Sequence, residues 1–261
     1  MKTPIVLAAF GAGEAALQTW EKMRRLVENT FPDHPVSFAF TSQRALTKAR
    51  ADGDPDILSV RQRLLAVKEE GYDKAVVQSL HVAPGGEFHR VVKTVDDISR
   101  QTGMDIRIGL PLLCSPEDYM RCAGAFFDEI TSLTDTAFIV IGHGMKHPAW
   151  TSFAALDYAF RKCYGNKAFV GVIEDGFPSK ADLLEAVSTS GYKKAVLAPF
   201  LMTGGYHFIR DINGGNEGSF RKALENLGIE VKATRAPLGD NPKIAEIFLM
   251  RIASALDISL S

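Results

Sequence analysis

The sequence lacks several features that would assign it to a specialised class of protein. It has three cysteines in 261 residues and no C-x-x-C pair, which argues against a disulfide framework and favours a reducing cytoplasm. No apolar run approaches the roughly 20 residues of a membrane span. The first apolar run is short and breaks at Gly11 and Glu14, so it predicts a strand and not a signal peptide.

Charge of one sign and nucleotide-binding motifs are also missing. The 30 basic and 31 acidic residues leave a formal net charge of −1, so the total charge predicts no binding to nucleic acid or to a membrane surface. The segment 11–13 lacks the third spaced glycine of a dinucleotide fingerprint. No Walker motif or G-x-S-x-G turn is present, so we expect no nucleotide cofactor.

What the sequence does contain is a regular alternation of two patterns. Short apolar runs alternate with segments whose apolar residues recur near the helical period, which predicts an α/β fold with parallel sheets. The predicted strands cover 5–10, 36–41, 75–80, 105–110, 137–141, 168–173, 195–200 and 230–233. The predicted helices cover 14–28, 58–70, 88–102, 116–133, 152–163, 179–190, 216–227 and 242–255.

The chain also repeats itself. Residues 71–90 align with 191–210 at a constant shift of 120 residues, and residues 5–11 resemble 138–144. The repeat predicts two similar Rossmann-like or flavodoxin-like lobes, an N-terminal one over 1–133 and a C-terminal one over 134–261. We expect a cleft between their strand ends, where α/β proteins bind ligands.

Two histidines and one acid stand at predicted strand ends of the second half. His143 and His207 each follow an apolar run and glycines, and Glu174 ends a third such run. The first half has Phe10 where the second has His143, and Glu87 where it has His207. A duplicated scaffold does not need an imidazole in only one copy, so the second half is predicted to carry the chemistry, with Glu87 facing it. The structural alternatives are histidines satisfied by core hydrogen bonds and a capping or salt-bridged Glu174.

Two imidazoles and a carboxylate suit a borderline divalent ion such as Co²⁺, Fe²⁺, Ni²⁺ or Zn²⁺. No cysteine accompanies them, which argues against a closed structural zinc site. The residues therefore predict a metal site with open positions, formed by His143, Glu174 and His207.

Taken together, the segments resemble the anaerobic-type sirohydrochlorin cobaltochelatase family (CbiK), among the class II chelatases. The matching segments are Gly142-His143-Gly144, the I-E-D-G-F-P of 173–178, the L-M-T-G-G-Y-H of 201–207 with its continuation D-I-N-G over 211–214, the F-T-S of 40–42 and the Q-S-L-H and G-E-F of 78–88. They span nearly the whole chain in the family's order. The departures are Met145 after G-H-G, an extra Asp175, and Gly205-Tyr206 in the last segment.

The resemblance implies a lyase-class metal chelatase of cobalamin biosynthesis that inserts Co²⁺ into sirohydrochlorin with release of two protons. It implies His143, His207 and Glu87 as catalytic residues. It also implies contacts of Thr41, Ser42 and His81 with the tetrapyrrole.

Several alternatives stay open at this point. The same ligands suit Fe²⁺ insertion for sirohaem and Ni²⁺ insertion, and a metal or tetrapyrrole carrier would need the ligands but not Glu87. Haem is not expected, although His89 could ligate one at an interface. Sirohydrochlorin is the expected partner, and the sequence leaves open a homo-oligomer.

Overall fold

A computed structural model describes residues 2–11, 13–52 and 57–259 of the chain. Its strands form two parallel sheets of four strands, in the orders β2-β1-β3-β4 and β6-β5-β7-β8. The first sheet comprises β1 (Ile5–Ala9), β2 (Val36–Phe40), β3 (Lys74–Ser79) and β4 (Asp105–Gly109). The second comprises β5 (Ala137–Gly142), β6 (Ala168–Val172), β7 (Lys194–Phe200) and β8 (Glu230–Ala233). The predicted α/β class with two similar halves is confirmed.

The central strands β1 and β5 are apolar along their whole length because helices cover both faces of a parallel sheet. Every residue of β1 and of β5 is buried. The predicted strands agree with the observed ones to within one residue at either end. A short apolar run flanked by polar and turn residues is thus a reliable strand in this chain.

The helices begin and end at residues with the expected chemistry. Ser59, Ser115 and Ser179 each accept a hydrogen bond from the third residue of the helix that follows, completing a capping box. The helices are α1 (Glu14–Thr30), α2 (Gln43–Asp52), α3 (Val60–Glu69), α4 (Gly86–Thr102), α5 (Pro116–Gly124), α6 (Phe127–Thr131), α7 (Thr151–Tyr164), α8 (Lys180–Thr189), α9 (Phe220–Asn226) and α10 (Pro242–Leu256).

Several helical segments differ from the sequence prediction, and the predicted helix 216–227 is observed only over Phe220–Asn226. Helix α2 was not predicted, because its residues are mostly polar and Leu46 is the buried one among its described side chains. The predicted helix 116–133 is two helices, α5 and α6. The break at Phe126 buries that ring against Phe138 and Phe160, each with its centroid 5.8 Å away.

The chain divides into two compact units that differ from the predicted lobes of 1–133 and 134–261. The first unit comprises residues 1–114 and 245–261, and the second comprises 115–244. Residues 115–133 belong to the second unit, where the Tyr164 hydroxyl donates to the carbonyl of Ala123 at 2.8 Å. Most of α10 belongs to the first unit, where Arg251 donates to the carbonyl of Leu112 at 3.1 Å. A helical pattern predicts a helix but not which sheet the helix covers. The boundary predicted at residue 133 therefore differs from the observed division for residues 115–133 and for α10.

None of the helices in the described ranges combines the length and apolar character of a membrane span.

Candidate functional site

The second unit has a switch in chain direction between its two central strands. The chain runs from β5 outward to β6 and then crosses to β7 on the other side. At such a point the connections diverge and leave a crevice at the carboxyl ends of the strands. His143 follows β5 directly, Glu174 lies two residues past β6, and His207 lies in the segment after β7. The fold therefore places all three residues at the carboxyl-terminal edge of the second sheet.

The two histidines contact each other through their Nε2 atoms, which are 3.2 Å apart. The rings are nearly perpendicular, with an interplanar angle of 85° and centroids 4.6 Å apart. Their side chains remain 41% and 36% exposed, so an ion can reach them. The sequence placed these residues at neighbouring strand ends, and the structure brings their imidazoles into direct contact.

The hydrogen bond made by Nδ1 of each ring shows which nitrogen keeps a free lone pair. Nδ1 of His143 lies 3.0 Å from the carbonyl oxygen of Gly144, and Nδ1 of His207 lies 2.8 Å from Oδ2 of Asp211. Both oxygens can only accept, so each Nδ1 carries the hydrogen and donates. In the neutral rings both Nε2 atoms then present lone pairs to each other. Two lone pairs at this separation repel unless a cation lies between them, so the arrangement is suited to a positive ion.

A glycine holds the loop after β5 against the loop after β6. Gly144 has a φ of +78°, and a Cβ there would lie 2.7 Å from the carbonyl oxygen of Asp175. That oxygen accepts a hydrogen bond from the N–H of Met145 at 2.6 Å, and the N–H of Glu174 donates to the backbone carbonyl of His143 at 2.8 Å. A side chain at position 144 would separate the two loops, so the glycine is needed to keep Glu174 beside His143.

Glu174 is near the histidines but is not aligned with them as a third ligand. Its Oε2 lies 3.7 Å from Nδ1 of His143, whereas the nitrogen that faces His207 is Nε2. Within the described ranges, no three His, Cys, Asp or Glu residues are arranged to hold a metal ion. The structure thus brings together two of the three predicted ligands and leaves the third adjacent.

A cavity of about 850 Å³ opens beside Glu174. Phe177 is 56% exposed and packs edge-on against Trp150, with centroids 5.4 Å apart. The residues that line the cavity are Lys146, Glu174, Asp175, Gly176, Phe177 and Ser179.

The residues predicted to contact a tetrapyrrole lie in the first unit and are buried. His81 lies within hydrogen-bond distance of the hydroxyls of Ser79 (2.8 Å) and Thr41 (3.2 Å). Burial lowers the pKa of His81 to about 4, and the charge of Arg90 acts in the same direction, so the ring is neutral at pH 7. Thr41 and Ser42 are each 8% exposed. Ser42 lies outside the hydrogen bonds of His81, and its hydroxyl oxygen accepts from the N–H of Ala45 at 3.3 Å.

Glu87 lies in the first turn of α4, also in the first unit. Its Oε1 pairs with the guanidinium of Arg90. Its Oε2 is buried and has no hydrogen-bond partner among the described residues. A buried carboxylate oxygen with a free lone pair can accept a proton, which is the property expected of a base.

The sequence analysis assigned no role to Asp211. This residue stands four positions after His207, and that spacing places two side chains on the same face of a helical turn. The sequence thus carried a usable signal for the contact.

Comparisons with known proteins identify the family. The model of the family described as cobalt chelatase (CbiK) matches residues 3–257. The sirohydrochlorin cobaltochelatase of Salmonella typhimurium is 28% identical over 265 aligned residues, covering 100% of this chain and 98% of that protein. Sirohydrochlorin cobaltochelatase CbiKC of Nitratidesulfovibrio vulgaris is 30% identical over 265, covering 98% and 91%.

Solved structures add evidence on the fold. SirB from Bacillus subtilis with Fe³⁺ superposes with a TM-score of 0.72 at 13% identity, covering 98% of this chain and 97% of SirB. At that identity the likeness establishes the architecture alone. The match of the family model over nearly the whole sequence shows that this chain belongs to the cobalt chelatase (CbiK) family.

Proposed function

We propose that this chain is a sirohydrochlorin cobaltochelatase, a lyase-class enzyme that inserts Co²⁺ into sirohydrochlorin and releases two protons. Family membership and the names of its full-length relatives support the reaction. The observation that carries the proposal is the pair of facing Nε2 atoms on His143 and His207.

The separation of the two nitrogens fits one shared ion. Two ligands about 2.0–2.1 Å from a metal at the tetrahedral angle lie roughly 3.3–3.4 Å apart. The Nε2 atoms of His143 and His207 are 3.2 Å apart, so they can bind one ion with little movement. Both are held by hydrogen bonds at Nδ1, which orients the rings before metal arrives.

Glu174 is proposed as the third ligand. Its side chain is 53% exposed, so turning it from Nδ1 of His143 towards the ion is not opposed by packing. A carboxylate beside two imidazoles cancels part of the ion's charge and leaves further positions open for the tetrapyrrole nitrogens. The third ligand would then be recruited as the ion binds.

Proton removal must accompany metal transfer, because the ring loses two pyrrole protons as it gains the dication. An imidazole that releases the metal regains a lone pair and can accept one proton. Glu87 is the proposed acceptor for the other, since its Oε2 is buried and has no partner among the described residues. Thr41, Ser42 and His81 are proposed to contact the tetrapyrrole, and the hydrogen bonds of His81 to Thr41 and Ser79 hold its ring in place.

Single substitutions test the proposal. We expect His143→Ala and His207→Ala each to lower Co²⁺ insertion sharply, followed as loss of the absorbance of free sirohydrochlorin. Glu87→Gln should bind sirohydrochlorin normally and turn over slowly, because the amide cannot accept a proton. Near-wild-type rates in both histidine variants would refute the metal site, whereas a full rate in Glu87→Gln would remove only the role of Glu87.

A rate comparison for Co²⁺, Fe²⁺ and Ni²⁺ with wild-type protein identifies the preferred ion. The donor set suits all three, so their relative rates carry the information that the ligands do not. A faster reaction with Fe²⁺ would favour chelation for sirohaem over the cobalt reaction.

A further inference from the structure

Asp211 determines which nitrogen of His207 is available. Its Oδ2 lies 2.8 Å from Nδ1 of His207, and a carboxylate can only accept, so Nδ1 keeps the hydrogen. The lone pair is then on Nε2, the atom that faces His143. Without this contact a neutral imidazole can carry its hydrogen on either nitrogen, and one of the two forms cannot bind a metal through Nε2.

The repeat shows that packing does not require this acid. At the shift of 120 residues, Asp211 aligns with Val91, which is 1% exposed in the core of the first unit. The flanking residues are the same in both halves, since Phe208 aligns with Phe88 and Arg210 with Arg90. The acid thus occurs only in the half that carries the imidazole. A partly buried carboxylate is costly unless it is paired. Asp211 lies 2.8 Å from Nδ1 of His207 and 3.8 Å from Nε of Arg210, and since both halves carry the arginine, the histidine is the partner specific to this half.

The backbone around this contact is also specific to the second unit. Residues Phe208–Ile212 form a π-helical turn, in which the N–H of Asn213 donates to the carbonyl of Phe208 at 2.9 Å. The corresponding residues of the first unit lie within the regular helix α4. Single π-helical turns are rare and occur frequently at functional sites. The turn closes at Gly214, where a Cβ would lie 2.2 Å from the carbonyl oxygen of Arg210.

We propose that Asp211 is a positioning residue that holds His207 in the Nδ1–H form with its Nε2 lone pair directed at the incoming cation. The inference rests on the proposed function, because it gives the His207 nitrogen its role in metal binding. Outer partners of metal-binding histidines typically contribute about 10–100-fold to metal affinity.

Titration with Co²⁺ alone tests the affinity. Visible absorption of the bound ion would be followed for the wild type, Asp211→Ala and Asp211→Asn. We expect binding about 10–100-fold weaker in the alanine variant. The asparagine variant should be intermediate, because its amide oxygen still accepts from Nδ1 but carries no charge. Glu225→Ala is the matched control, since Glu225 also pairs with a residue four positions away, Arg221, at 2.9 Å in the same unit. It should bind Co²⁺ like the wild type.

The ring itself provides a readout that a merely structural role would not change. Long-range ¹H–¹⁵N NMR of the metal-free protein, with the His207 signals assigned by their loss in His207→Ala, locates the proton. We expect it on Nδ1 in the wild type and in Asp211→Asn, and substantially on Nε2 in Asp211→Ala.

The outcomes separate this inference from the proposed function. If His207→Ala abolishes Co²⁺ insertion but Asp211→Ala binds Co²⁺ within twofold of the wild type, the positioning role is wrong and the function stands. A wild-type His207 with its proton on Nε2 also overturns the inference. If the wild type does not insert Co²⁺, the proposed function fails, while the NMR experiment still tests the proton position.

Discussion

Mild acid should destabilise the first unit through His81. The ring is 9% exposed, and burial lowers its pKa from 6.5 to about 4, with the charge of Arg90 adding to the effect. Between these two pH values the unfolded chain binds a proton that the folded unit does not. The contribution of the neutral His81 ring to the free energy of unfolding is therefore fully present above about pH 6.5 and is lost as the pH falls towards 4.

The magnitude follows from the two pKa values of His81. At pH 5 the ring is mostly protonated in the unfolded chain and mostly neutral in the folded unit. The linkage between protonation and folding then lowers the free energy of unfolding by about 2 kcal/mol relative to pH 7. The loss rises to about 3 kcal/mol near pH 4. A loss of this size is a substantial part of the stability of an ordinary domain.

The two tryptophans make the measurement possible for one unit alone. Trp20 lies in the first unit and is 2% exposed, whereas Trp150 lies in the second. In a Trp150→Phe background, urea unfolding followed by Trp20 fluorescence gives the free energy of unfolding of the first unit at pH 7 and pH 5. We expect His81→Asn to lose about 2 kcal/mol less between these pH values than the same background with His81.

Comparing differences across pH removes two complications from the His81 experiment. The acid titration of the carboxylates is common to both proteins, and any lower starting stability of His81→Asn cancels. An equal acid loss in both proteins would refute the reasoning, because it would mean that the ring takes up its proton equally in the folded and unfolded states.

Three packing predictions concern glycines and a cap. Gly144→Ala would place a Cβ 2.7 Å from the carbonyl oxygen of Asp175, so we expect Co²⁺ insertion to fall about 10–100-fold with an unchanged circular dichroism spectrum. Gly109→Ala would place a Cβ 1.8 Å from Oε1 of the buried Gln78, which should cost about 1–3 kcal/mol in urea unfolding of the first unit. Ser115→Ala removes the cap of α5 and should cost about 1 kcal/mol in unfolding of the second unit. An unchanged value for any variant contradicts the contact from which it was predicted.

The strands were predictable because parallel sheets impose a one-dimensional pattern. A run such as 137–142 is apolar throughout, and its ends are fixed by polar or glycine neighbours. The assignment of α10 to the first unit was not predictable in this way. It depends on pairs such as Arg107 and Asp257, which are 150 residues apart in sequence. No local pattern shows that those two side chains meet.

The site was predictable to the level of positions but not of atoms. The carboxyl ends of neighbouring parallel strands meet at one edge, so the proximity of His143 and His207 followed from the strand assignment. The Nδ1 partner of His143 is a backbone carbonyl, which no side-chain pattern encodes. The side-chain torsions of Glu174 are equally invisible in the sequence, and they place its carboxylate beside Nδ1 of His143, not beside the Nε2 that faces His207.

The duplicated scaffold gives a physical criterion for finding functional residues. Packing constrains both copies alike, so a polar residue that replaces an apolar one in a single copy is there for another reason. Asp211 meets the criterion through Val91, and His81 meets it through Leu201, at the same shift of 120 residues. The surroundings then distinguish the two. Asp211 is partly exposed and holds an imidazole that an ion can reach, whereas His81 is buried, neutral and hydrogen-bonded to the hydroxyls around it. The same departure from the repeat therefore marks, in one unit, the aspartate that is proposed to orient a metal ligand and, in the other, a buried histidine held by the hydroxyls around it.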